Sequence, residues 1–272
     1  MSPNRRLAQT TRQITSDQEP FLTARSLATT YSSGYLIPPH SHGWHQLLYA
    51  CSGAMTVFTD KTSWMIPPGR AVSIPAQRKH SIRMWGDVAM RSLYFPAGFS
   101  APALEIPECR VISVTPLLRE LILRVVDLAA LDSRVTSDAR LMSVLMDELG
   151  NAPAGPLALP LPADSRALAA AMHVLTNPAG SPRLETLARR CAVGARTLER
   201  LFRAETGMRY SMWRQKARLL ESIRLLVESK SVTHAALESG YSSVSAYIAA
   251  FRQTFGCTPR AMLSSSSPEM PW

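Results

Sequence analysis

What the sequence has little of narrows its class before any motif does. Its four cysteines, Cys51, Cys109, Cys191 and Cys257, lie far apart and form no CxxC pair. That pattern argues against a disulfide scaffold and a cysteine-built zinc site, and predicts a reducing, cytoplasmic setting. No stretch approaches the roughly 20 uncharged apolar residues needed to cross a bilayer, so no membrane partner is expected. Arg5, Arg6 and Arg12 have no apolar run behind them, which is not the pattern of a secretory leader. Charged residues make up 18% and hydrophobic ones 46% of the 272, the balance of a globular chain with room for two domains.

The charge that is present is unevenly placed. Of the net +10, residues 165–263 carry 15 Lys and Arg against 6 Asp and Glu, a net +9, while the remainder holds 15 against 14. A near-neutral part joined to a basic one implies that only the second meets a polyanion. Its basic residues are spread over several short helical segments rather than one long amphipathic stretch, which favours nucleic acid over a membrane surface.

Along the chain, residues 1–25 are polar and aperiodic and read as a flexible arm. Short β-like runs follow, broken by Pro and Gly: Gln46–Tyr49, Met55–Thr59, Ser63–Ile66, Ala71–Ile74, Ser81–Trp85 and Met90–Phe95. Six strands so closely spaced predict an antiparallel sandwich or small barrel. Helical periodicity then appears at Pro116–Leu128, with Leu117, Leu118, Leu121, Val125 and Leu128 as its stripe, and again at Ser137–Leu149. These helices, which complete a unit over 26–150, either cap the sheet or form a dimer seam. Four prolines within 151–164 read as a linker. Residues 165–263 are almost wholly helical, and 264–272 read as a disordered tail.

The helical part repeats itself. Leu187–Gly207 (LARRCAVGARTLERLFRAETG) aligns with Ala236–Gly256 (ALESGYSSVSAYIAAFRQTFG) at an offset of 49, pairing Phe202 with Phe251 and Gly207 with Gly256. Each copy reads as a short helix, a tight turn and a second helix, which is the helix-turn-helix whose second helix enters the major groove. Ser243 can cap the second of these by accepting a backbone N–H, whereas Gly194 is the weaker cap of the first. Between the copies, Trp213, Leu220, Ile223 and Val227 mark one continuous helix over 211–228.

These motifs, with the run G-Y-S-S-V-S-A-Y-I-A-A-F-R-Q-T-F-G-C-T-P, make residues 165–263 similar to the DNA-binding domain of AraC/XylS-type regulators. Gly194 stands in place of the usual Ser cap, and Tyr210 where Pro is common. The resemblance implies that Leu198, Leu201, Phe202, Tyr247 and Phe251 point inward. In the first recognition helix it leaves Arg196, Thr197, Glu199, Arg200 and Arg203 for DNA. Arginine can bridge guanine O6 and N7, and Glu can accept from cytosine N4. The second helix offers Ser243, Val244, Ser245 and Ile248, suited to thymine methyls or shape, with Arg252 for phosphate.

The histidines of the β-rich part form a second constellation. Gly34-x5-His40-x-His42-x3-Gln46-x6-Gly53, followed by Gly69-x5-Pro75-x4-His80, resembles the two cupin motifs, with Gln where Glu is usual. In cupins such residues converge in the barrel, which implies His40, His42, Gln46 and His80 as ligands of one divalent transition metal, zinc, nickel or iron. Sensor domains of AraC-type proteins also use this fold without metal. The alternative is therefore a small-molecule pocket lined by Trp44, Tyr49, Met84 and Tyr94. His45 is out of phase with the set.

The expected architecture is α+β: a cupin-like β-barrel with following helices, then an all-α domain with two helix-turn-helix units. The expected function is a non-enzymatic, effector-controlled transcription regulator, an activator on the family's pattern. Its expected partners are double-stranded promoter DNA, RNA polymerase, a small-molecule or metal effector, and a second copy as homodimer. The competing reading is a metal-dependent cupin enzyme fused to a DNA-binding domain, against which stands the lack of a separate acid–base constellation.

Overall fold

The computed structural model describes residues 21–99, 103–104, 107–180 and 182–264. Of the arm expected over 1–25, residues 1–20 lie outside the described residues, as do 265–272 of the expected tail. The arm expectation fails where it can be checked, because β1 (Leu22–Tyr31) begins inside it.

The six short runs expected from the sequence are organised differently. Two pairs of them are single long strands, β3 (Trp44–Phe58) and β6 (His80–Pro96), which pair with each other from Trp44↔Pro96 to Phe58↔Ser81. The first half of β3 pairs with β5 (Arg70–Ile74) and its second half with β4 (Thr62–Ile66). Likewise β6 pairs with β2 (Leu36–His40) near its start and with β1 further on. With β7 (Arg110–Ser113) beside β5, the long strands run through both halves of one folded antiparallel sheet.

Gly53 and Gly86 explain why the sequence broke these strands in two. They sit at the bends with φ of +70° and +66°, backbone that an L-residue resists. A Cβ on Gly53 would lie 2.7 Å from Asp87 O. The register slips between Ala50 and Ala54 mark the same corner, as bulges do where a sheet must curve.

Alternation along β3 sorts its side chains. Leu48, Ala50 and Met55 join the inner core, while Leu47 and Tyr49 face α1 (Pro116–Leu128) and α2 (Thr136–Asn151). Both helices cap that outer face. Thr115 accepts from Leu118 N at 3.1 Å to start α1, and Leu118, Ile122, Val125, Met142, Leu145 and Leu149 are buried. Leu117, at 52% exposure, lies outside the stripe of α1 that packs. Strand β8 (Ala130–Asp132) joins the two helices and pairs with β1.

Within the segment read as a linker, β9 (Ala158–Pro160) adds to the edge of β4, and Leu157 and Leu159 are buried. Prolines are compatible with an edge strand, so proline content concealed the Leu-x-Leu alternation. Seven helices follow: α3 (Ser165–Thr176), α4 (Leu184–Arg190), α5 (Ala195–Thr206), α6 (Tyr210–Ser229), α7 (Val232–Glu238), α8 (Val244–Phe255) and α9 (Pro259–Ser264). Trp213 of α6 donates from Nε1 to Pro160 O at 2.7 Å. One continuous hydrophobic cluster contains both the inner sheet core and the core of these helices.

Candidate nucleic-acid interface and histidine site

The two helix-turn-helix units are α4–α5 and α7–α8. Their recognition helices keep the offset of 49, but α4 and α7 match at 48, since Val193 N bonds Ala188 O as Tyr241 N bonds Ala236 O. The second unit's turn therefore has one more residue. Each turn needs one left-handed residue, Ala192 at φ +51° and Gly240 at φ +81°. Both recognition helices end on a left-handed glycine, Gly207 and Gly256, the standard helix stop.

Leu198, Leu201 and Phe202 of α5 are buried, as are Tyr247 and Phe251 of α8. Arg196, Arg200 and Arg203 are exposed, with Thr197 and Glu199 half-buried between them. On α8, Ser243, Ser245 and Arg252 are exposed, but Val244 and Ile248 pack partly against the core. Those two therefore present less surface than the sequence alone suggests. Ser243 caps α8 by accepting from Ala246 N at 3.2 Å, and Gly194 makes no side-chain cap.

The histidine site is assembled by sheet pairing. His40 at the end of β2 is the register partner of His80 at the start of β6, and His42 follows in the β2–β3 loop. One ring nitrogen from each lies within 4.8 Å of the others. The backbone fixes each ring: Nδ1 of His40, His42 and His80 donates to the carbonyls of Pro38, Trp44 and Arg78 at 2.9, 2.8 and 2.8 Å. A neutral imidazole with Nδ1–H keeps its lone pair on Nε2, so each ring retains one nitrogen able to ligate. His80 Nε2 is buried and without a hydrogen-bond partner. Desolvation by burial pushes the His80 pKa down to about 4, which leaves the ring neutral near pH 7.

Gln46, on β3, lies 3.2 Å from His42 Nε2, 3.2 Å from Ser92 Oγ and 3.1 Å from Tyr94 Oη. His42 gives its one proton to Trp44 O, so Oε1 facing Nε2 would set two lone pairs against each other. Without an ion the satisfied arrangement turns the amide over, with NH2 donated to His42 Nε2 and Oε1 accepting from the two hydroxyls; with an ion on His42, Oε1 faces the same point and can join the ligands. Ser92 and the Gln77 turn, whose N–H holds His42 O at 2.8 Å, are functional neighbours that the sequence reading missed. Neither carries a motif; they are found only through pairing.

The donor set suits a borderline divalent metal. Tetrahedral zinc with nitrogens about 2.0–2.1 Å away holds them roughly 3.4 Å apart, close enough for small ring rotations to reach. Anchoring of the far ring nitrogen by a carbonyl is what metal-ligating histidines ordinarily have.

Of the residues expected to line a pocket, Tyr94 contacts His42 at 5.6 Å between ring centroids. Met84 packs in the inner core, and Trp44 meets the Arg25 guanidinium at 5.9 Å. Tyr49 is displaced to the opposite face of β3, under α1, because odd positions there point outward. A cleft of about 670 Å³ borders His80, lined among others by Pro39, Phe58, Pro75, Gln77 and Lys79 and by none of those four.

Comparison with known proteins agrees with this architecture. A model of the AraC-like ligand binding domain matches residues 25–147, and one of a helix-turn-helix domain matches 187–265. The chain is 31% identical over 236 residues to the HTH-type transcriptional regulator NimR of Escherichia coli, covering 85% of each. It is 38% identical over 100 residues to the HTH-type transcriptional regulator RipA of Corynebacterium glutamicum, which is 37% of this chain and 30% of that one. Among solved structures, ToxT from Vibrio cholerae aligns over 89% of this chain and 98% of its own at 12% identity, with a TM-score of 0.39. Sheet domain, paired helix-turn-helix units and a relative matched over 85% of each chain converge: the chain belongs to the AraC-type family of DNA-binding transcription regulators, with a ligand-binding domain at its N-terminal side.

Proposed function

We propose that this regulator reads promoter DNA with α5 and α8 and that a divalent transition metal held by His40, His42 and His80 controls its binding. The observation that carries the metal reading is three Nδ1-anchored imidazoles, one ring nitrogen of each lying within 4.8 Å of the others. Zinc, nickel and iron(II) all accept such ligands, and a bound ion would tie β2, the following loop and β6 together. Gln46, whose Oε1 lies 3.2 Å from His42 Nε2, completes the ligand set. The cleft beside His80 supports a second reading, an organic effector seated next to that histidine.

On this reading residues 26–150 sense the effector and associate with a second copy, and 165–263 bind DNA in the cytoplasm, with activation through RNA polymerase. Exposed Leu117, Leu128 and Val144 on α1 and α2 support self-association. The effector signal reaches DNA through α6, which packs on the strand that carries His80. There Arg224 lies 5.2 Å over the Trp85 ring, and a Cβ on Gly86 would meet Val227 at 3.2 Å.

The test uses the full chain, stripped of metal and then offered zinc, nickel or iron(II). Elemental analysis is expected to find about one ion per chain, lost in His40→Ala/His42→Ala, and affinity for a promoter duplex selected from a randomised pool is expected to change with metal only in the parent. Unchanged metal content in the double variant rejects the site. A chain that takes up no ion but shifts its melting temperature with small metabolites transfers the role to the cleft.

A further inference from the structure

The long helix α6 does more than connect the two DNA-reading units. Tyr210, Arg214, Arg218 and Ser222 recur every four residues and so share one edge of it. Each reaches a different part of the DNA-binding domain. Tyr210 Oη and Arg214 Nη1 donate to Pro182 O at 2.7 and 3.1 Å, just before α4 of the first unit. Tyr210 thus makes a contact that proline, common at this position in the family, could not.

Further along, Arg218 Nε donates to Ser239 O at 2.8 Å and its Nη2 to Gly240 O, in the turn of the second unit. Its guanidinium also lies 4.7 Å from the centroid of the Tyr241 ring. Ser222 Oγ accepts from Tyr247 Oη at 3.0 Å, holding the recognition helix α8 itself.

Arg218 occupies the tightest point of this row. Gly240 has φ +81°, and a Cβ there would stand 2.9 Å from Arg218 Nη2 and 3.0 Å from Ala179 O. The turn of the second unit is therefore pressed against both the guanidinium and the loop that leads into the first. The carbonyls that Arg218 binds lie at the end of α7, where helix carbonyls lack intrahelical partners and attract a cation. A planar fork that meets two carbonyls and a ring face at once fixes orientation as well as distance, which a single ammonium cannot do.

We infer that Arg218 is a positioning residue that sets the separation of the two recognition helices, and with it the spacing of the two DNA segments that the protein accepts. Two helices reading one face of a duplex need segments about one helical turn apart. One base pair is about 3.4 Å of rise, so a small swing of α7–α8 about α6 changes which spacing fits. Arg218 lies away from the outward faces of α5 and α8 and does not itself read bases.

The experiment takes a duplex selected by the full-length parent from a randomised pool and inserts or deletes one or two base pairs between its two contacted segments. Competition binding of the pooled duplexes, read by sequencing, measures the spacing profile. The parent is expected to reject a one-base-pair change by roughly tenfold, the scale of a mismatch penalty. Arg218→Met is expected to flatten this to within about threefold, with thermal unfolding still cooperative, and Arg218→Lys to fall between the two because it keeps charge but not the fork. An unchanged profile in either variant overturns the inference, as does a loss of affinity by the same factor at every spacing, which is the signature of a merely structural role. If Arg218→Met does not fold, Arg218→Lys carries the test by the same criterion.

Discussion

The two helix-turn-helix units share a core and differ in almost everything that faces outward. Phe202 stacks edge-on with Tyr210 and Trp213, and Phe251 does so with Tyr247 and Phe255. Both recognition helices stop at a left-handed glycine. Yet α5 starts without a side-chain cap and carries three exposed arginines, whereas α8 is capped by Ser243 and has no charged residue before Arg252. The inward positions make each unit fold, and the outward ones leave the units free to divide the work. On the proposed division the first would read bases through hydrogen bonds and the second would contribute shape and phosphate contacts.

The shared core is the harder half of the comparison to break. Phe202→Ala and Phe251→Ala should each cost about 3–5 kcal/mol, since each empties a fully buried site. Chemical denaturation of the two variants should give similar losses, and a gap much beyond experimental scatter would mean that the cores are not equivalent. The outward difference is next in size. Arg196→Ala or Arg200→Ala should relax preference at particular base pairs by about 1–3 kcal/mol, with a smaller effect from Val244→Ala, whose side chain is half-buried. Binding selection on a randomised operator measures this, and a dominant effect from Val244→Ala would make α8 the principal reader.

The caps provide the finest contrast. Ser243→Ala should destabilise the second unit by about 1 kcal/mol, visible as faster amide exchange in the first turn of α8. Gly194 has φ −67° and ψ 141°, extended backbone that a capping serine adopts, and a Cβ there would meet nothing nearer than Thr197 Oγ1 at 3.7 Å. Gly194→Ser should therefore add a few tenths of a kcal/mol. A rise in melting temperature with a fall in DNA affinity would show instead that glycine serves close approach to the duplex.

How much was legible in the sequence varied with the distance between interacting residues. The helix-turn-helix units were readable because a helix face, a cap and a turn are all written within about twenty consecutive residues. Even so, the extra residue in the second turn was invisible to an alignment at one offset. The sheet was harder. Gly53 and Gly86 look like strand ends in a linear reading, and only the crossing of β3 and β6 shows them as bends in continuous strands. The prolines of 151–164 hid β9 for a related reason, since its partner β4 lies about a hundred residues earlier.

By itself, then, the sequence determined the family, the inward and outward faces of the recognition helices, and the three histidines as a set. Each of these follows from local periodicity or a motif at fixed spacing. Only the tertiary structure decided that His40 and His80 pair across strands, that backbone carbonyls hold all three Nδ1 atoms, and that the Gln46 amide lies against His42 Nε2. It also decided that Tyr49 turns away and that Arg218 braces the second unit. The physical reason is common to them all: hydrogen bonds and side-chain facing depend on strand register and helix packing, which bring together residues tens of positions apart that no local pattern connects.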